Sequence, residues 1–223
     1  MAQAVVLDAA AAVLRPRMRG WLHAAAVPVT LVAGLVLVLA TPAGTPRVGT
    51  GVFALSALVL FGVSALLHRG GWSPRVERLL TRADHASIFL LIAGTYTPCA
   101  VLLLDGVDRT LLLAIAWGGA LLGIAFRMLW PTAPRWVCTP VYLALGWAAV
   151  PFAPQLARHA DLAVLVLIAL GGLVYTLGAI VYGLRRPDPF PQWFGFHEVF
   201  HACTVVAFAA HFAGITLAAS ALR

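Results

Sequence analysis

The residues richest in chemistry are His197, Glu198 and His201, in the stretch GFHEVFHAC from Gly195 to Cys203. Histidines four positions apart share a helix face, offset by about 40° and roughly 6 Å along the axis, so both imidazoles can reach one ion. With the intervening glutamate they spell H-E-x-x-H, the helical zinc motif in which the glutamate activates water for peptide hydrolysis. The rest of that motif is missing. Thr204 and Ala207 stand where its extended form has a glycine and a third histidine, and no Asp or Glu follows Glu198. A zinc site without protease machinery is therefore the expectation, with its third ligand drawn from elsewhere in the chain.

The elements that could position these residues follow from composition. Of the 223 residues 62% are hydrophobic and only 10% charged, with a mean hydropathy of +0.95. Such a chain cannot cover a water-soluble core with polar surface, and a polytopic membrane protein is expected. The fifteen basic residues are all arginines and lie mostly in short loops between apolar runs. Anionic lipid headgroups, not nucleic acid, are their natural partners. Cys99, Cys138 and Cys203 have no paired spacing, so neither a disulfide framework nor a cysteine zinc cluster is indicated.

Runs of about 20 apolar residues fall at Leu22–Ala40, Gly49–Leu67, Ala86–Leu104, Leu111–Trp130, Val137–Phe152, Leu162–Leu184 and Val199–Ala219. The fifth is short and contains Pro140. Breaks such as TPAGTPR, HRGGWSPRVERLLTRAD and RRPDPFPQ carry Pro, Gly or charge and leave no room for a soluble domain. This predicts an all-α bundle of seven transmembrane helices forming one membrane domain over residues 1–223, with residues 1–21 as a short N-terminal segment. The first run follows Arg15, Arg17 and Arg19 and could be read as a signal peptide, but its length favours a retained anchor. Eleven of the fifteen arginines lie on the side of the N-terminal segment. The positive-inside rule then puts the N-terminus in the cytoplasm and the chain in a plasma membrane.

With seven alternating spans, the second ends at His68, the third begins just after Asp84 and His85, and the last begins at His197. Three histidines and an aspartate thus converge on one cytoplasmic-side layer, and His68 is the natural third ligand. Three neutral imidazoles leave a position open for water, as in catalytic zinc sites. Ser64, one turn before His68, can hydrogen-bond that water or orient a ligand. Asp84 is costly near hydrocarbon unless it meets a cation, a donor or water, and it suits a general base. His85 points about 100° away from Asp84 and reads as interfacial or supporting. His211, about 15 Å beyond His201, cannot share the ion; it reads as an interhelical hydrogen bond or a polar element of an internal cavity. His23 and His159 read as interface residues, and Glu77 as a partner of Arg78 or Arg82.

Ser64-x-x-x-His68, Asp84, the run AGTYTP from Ala93 to Pro98, and His197-x-x-x-His201 opening the last of seven spans resemble the hemolysin III branch of the progestin and adipoQ receptor family. The resemblance covers nearly the whole chain. It implies a seven-helix bundle with its N-terminus inside, and a Zn2+ ion held by His68, His197 and His201 with Asp84 and Ser64 beside it. It also implies that Glu198 is dispensable to the chemistry. Related receptors carry longer N-terminal regions; with about twenty residues ahead of the first run, hormone reception is not expected.

The function expected on these grounds is zinc-dependent hydrolysis of a lipid amide or ester at the cytoplasmic leaflet, with a ceramide-like amide as the substrate class the resemblance implies. The alternative is a non-enzymatic zinc-containing lipid sensor, or a permeabilising factor of the kind the family name suggests. Span centres rich in Leu, Val, Ala and Gly argue against a wide aqueous pore.

Overall fold

In hydrocarbon a backbone must satisfy its own polar groups, and apolar runs of this length do so by forming helices. The computed structural model describes residues 16–222; the reading of residues 1–15, most of the N-terminal segment, and of Arg223 lies outside them. The helices are α1 (Trp21–Ala40), α2 (Thr45–Arg69), α3 (Pro74–Leu103), α4 (Gly106–Leu129), α5 (Arg135–Gly146), α6 (Ala153–His159), α7 (Leu162–Leu184) and α8 (Phe196–Ser220), with a 3-10 turn at Val150–Phe152. Among the described residues no strand forms, and the single isolated bridge joins Phe190 to Phe194. Among the described residues seven spans are long and apolar enough to cross a membrane, the fifth being Arg135–His159.

Two boundaries depart most from the sequence reading. The third helix starts at Pro74, not just after Asp84, because Ser73-Pro74 is a helix start, with proline at a position whose N–H has no helical partner anyway. Asp84 and His85 therefore sit inside α3 rather than at its mouth. The expected fifth span, Val137–Phe152, is instead two helices joined by a turn, running on to His159. Pro151 and Pro154 lack the N–H that a continuous helix through this region would require.

Successive helices α1 to α4 pack side by side, α5 bridges α4 and α7, and α8 packs along α7 and back onto α1, closing the ring. Helix α3 is central: it touches α2, α4, α5 and α8, and its apolar stretch is the most buried of the seven spans. Helix α1 shows how each span divides between core and lipid. His23, Ala26, Thr30, Gly34 and Leu37, spaced three or four apart, face inward, while Val29, Val32 and Val36 are exposed. For a chain solvated by lipid, that outer face needs no polar cover.

Candidate metal centre

Two helices deliver the three histidines to one end of the bundle, the end carrying Arg19, Arg69, Arg135 and Arg185. His68 lies in the last turn of α2, His197 in the first turn of α8 and His201 one turn further on. His68 Nε2 and His197 Nε2 are 3.2 Å apart. Ring centroids are separated by 4.4 Å for His197 and His201 and by 5.3 Å for His68 and His201. One nitrogen from each ring lies within 4.8 Å of the others. Ligands at 2.0–2.1 Å on a tetrahedral zinc stand about 3.3 Å apart, so the first pair already has this spacing and His201 needs only a small adjustment. His201 is buried and its Nδ1 has no hydrogen-bond partner. This donor set fits a divalent ion that accepts imidazole.

Ser64, one turn before His68, is fully buried, and its hydroxyl makes no well-formed hydrogen bond. Ser64 and Asp84 both line a cavity with about 1150 Å³ of empty space, its open mouth included, bounded by apolar side chains such as Leu60, Ile88 and Leu91 and by His197 and His201. Its largely apolar lining is of the kind that receives an acyl chain. A second depression, lined by Arg19, His68, Glu77, Thr81, Asp84, His85 and His197, meets the same group from the other side. Asp84, His85 and His197 thus stand between a polar vestibule and an apolar chamber.

His85 is held by a residue the sequence reading missed. Arg127, buried within α4, donates to His85 Nδ1 at 2.8 Å and also reaches Cys138 Sγ and the Pro131 carbonyl, each at 3.2 Å. A guanidinium only donates, so Nδ1 is the acceptor and the neutral ring carries its proton on Nε2, 3.4 Å from the Tyr182 hydroxyl. That places His85 beside the site, facing both spaces, and not among the clustered nitrogens.

His23 departs from its reading as an interface residue. It is 2% exposed, lines the apolar cavity and stacks on His201 with centroids 3.8 Å apart. Its position on the inward stripe of α1 explains this. His159 is exposed on α6, and Glu77 lies in α3 on the vestibule wall.

Glu198 is engaged by groups other than the three imidazoles. It is 1% exposed, its Oε2 accepts the Gly195 N–H at 2.9 Å, and its Oε1 lies 2.5 Å from Arg19 Nε. It therefore caps its own helix and ties it to the segment before α1. That segment is stitched down further: Arg17 and Met18 donate backbone hydrogen bonds to Gln192 and Trp193, each at 3.0 Å. Gly20 then turns the chain with φ of +79°, where a Cβ would come within 2.6 Å of His68 Cβ, so only glycine lets α1 start this close to the site. Replacing Arg19 with methionine leaves Glu198 buried without its cation. The expected cost is about 3 kcal/mol, read as a lowered unfolding temperature in detergent, with Glu198→Gln in the same chain restoring part of the loss.

The sequence has counterparts in known proteins. A sequence model of the family described as Haemolysin-III related matches residues 11–212. The chain is 36% identical over 135 residues to hemolysin-3 of Bacillus cereus, covering 59% of each chain. It is 34% identical over 161 residues to the hemolysin-3 homolog of Bacillus subtilis, covering 72% of each. It is 28% identical over 188 residues to the adiponectin receptor protein of Drosophila melanogaster, covering 74% of this chain and 41% of that protein. The match therefore spans less than two thirds of the Bacillus cereus and Drosophila proteins. The three cysteines are not paired with one another in the structure. Seven apolar helices and two bacterial relatives indicate an integral protein of a bacterial plasma membrane. With nearly its whole length matched, from before the first helix into the last, the chain belongs to the haemolysin-III related family.

Proposed function

We propose that the protein is a zinc-dependent membrane hydrolase that cleaves a lipid amide or ester at the cytoplasmic leaflet. The observation that carries this reading is the placement of three clustered imidazoles, with Asp84, between a polar vestibule and an apolar cavity. Water can enter from one side and a lipid chain from the other.

His68, His197 and His201 would hold the ion. When bound, it lowers the pKa of a water to about 7 and polarises a carbonyl oxygen. Asp84, on the shared wall, takes the proton from the attacking water and passes it to the leaving amine or alkoxide. Ser64, one turn from His68, orients the polar linkage through its buried hydroxyl. His85, fixed by Arg127 with its Nε2–H toward the cavity, offers a donor near the linkage. Leu60, Ile88 and Leu91 exclude water from the chain beyond it. Glu198 takes no part in proton transfer, since its carboxylate is committed to Arg19 and to the start of α8.

The test uses purified, zinc-loaded protein with a panel of N-acylsphingosine, other N-acyl lipids and acyl esters, following fatty acid release. Release that stops with a chelator and returns with zinc is expected. A sample with one zinc per chain that releases nothing from any of them would overturn the reading. The name of the Drosophila relative, a receptor, favours as second reading a non-catalytic lipid sensor, for which zinc binding without turnover is the expected result.

We place the N-terminus in the cytoplasm on the arginine bias and treat the chain as one membrane domain. A periplasmically active phosphatase reporter fused after Ser220 is then expected to be active, and a fluorescent protein that matures only in the cytoplasm to stay dark. The opposite pair of results would invert the topology.

A further inference from the structure

Deep in the apolar cavity, away from the three clustered histidines, lies a second polar pair. His211 on α8 is 9% exposed. Its ring presses against α7 where Gly171 leaves space, and a Cβ at that position would overlap the imidazole. His211 Nε2 lies 3.0 Å from the Ile168 carbonyl oxygen. A carbonyl only accepts, so Nε2 carries the proton and Nδ1 is a bare acceptor. That Nδ1 is buried and has no partner. Tyr175, also on α7, stands with its ring centroid 5.5 Å from that of His211, and its buried hydroxyl has no partner either. Both residues line the cavity.

An unmatched acceptor and an unmatched hydroxyl, side by side in a membrane interior, are each expensive to leave unpaired. A methylene satisfies neither. A hydroxyl satisfies both, donating to His211 Nδ1 and accepting from Tyr175. His211 follows His201 by ten residues, about 15 Å along the helix axis, which is tail depth for a lipid whose linkage lies at the histidine cluster. We propose that His211 and Tyr175 form a subsite for a hydroxyl group partway along a lipid tail, so that the cavity selects chain lipids hydroxylated about 15 Å from their polar linkage. The subsite rests on the hydrolase reading only for which end of the lipid meets the histidines; the preference for a tail hydroxyl does not need turnover.

The experiment is a binding competition on the full chain in detergent, displacing a fluorescent fatty acid with stearate, 2-hydroxystearate or 12-hydroxystearate. The 12-hydroxy acid is expected to bind about tenfold more tightly than stearate, as two neutral hydrogen bonds allow, with the 2-hydroxy acid close to stearate. Tyr175→Phe keeps the ring and removes the hydroxyl. It is expected to cut the advantage to about threefold with stearate affinity unchanged, and His211→Phe to abolish the advantage. Equal binding of 12-hydroxystearate and stearate by the unmodified protein would mean that water fills the subsite, and would overturn the proposal. So would an advantage that survives Tyr175→Phe undiminished. A preference for the 12-hydroxy acid without hydrolysis of any lipid would count against the hydrolase reading and leave the subsite standing; hydrolysis without the preference would do the reverse.

Discussion

His68→Ala is expected to reduce the zinc content of the purified protein from about one ion per chain to less than a tenth, with His201→Ala giving the same result. His68 contributes a nitrogen 3.2 Å from that of His197, and no other side chain of α2 is positioned to replace it. Two imidazoles from one helix turn can still bind weakly, but a site that loses one of three protein ligands loses most of its affinity. Metal analysis after dialysis against a mild chelator reads this directly. Circular dichroism of the same samples separates metal loss from unfolding, since most of the helical bundle is built without these side chains. Unchanged zinc in both variants would remove the three-histidine assignment and the hydrolase reading with it.

Asp84→Asn is expected to lower lipid hydrolysis by at least about a hundredfold, the usual contribution of a general base, while leaving zinc bound. The substitution keeps the shape of the side chain and removes only its ability to take a proton, so fatty acid release and metal content are expected to part company. Asp84 lines both spaces, which is why it can meet water on one side and the leaving group on the other. If hydrolysis persists in this variant near its unmodified rate, the base is some other group. If zinc leaves together with activity, the carboxylate belongs to the metal's own ligand set.

Much of this arrangement is legible in the amino-acid sequence. Seven apolar runs, alternating in direction, force the end of the second and the start of the last to the same side, and a four-residue histidine spacing aligns two rings on one face. His68, His197 and His201 follow from those two facts, and the structure brings the same three together. The depth of His211 points to either an interhelical bond or a cavity position, and the structure shows both. What escapes a sequence reading is set by packing between helices distant along the chain. His23 resembles an interface residue because it opens an apolar run, yet its spacing with Ala26, Thr30, Gly34 and Leu37 is the signal that it faces inward. Arg127 carries no local sign that it serves His85, since the two lie on different helices. The start of α3 is marked by Ser73-Pro74, but the charge of the segment that follows masks it. Glu198 draws notice for its place in H-E-x-x-H, whereas its partner, Arg19, lies at the opposite end of the chain.

The most direct test of the central assignment is X-ray absorption at the zinc edge on the purified, membrane-extracted protein. A first shell of nitrogen and oxygen at 2.0–2.1 Å with the outer-shell pattern of three imidazoles is the expected spectrum. A shell containing sulfur near 2.3 Å, or protein that takes up no zinc at neutral pH, would contradict it.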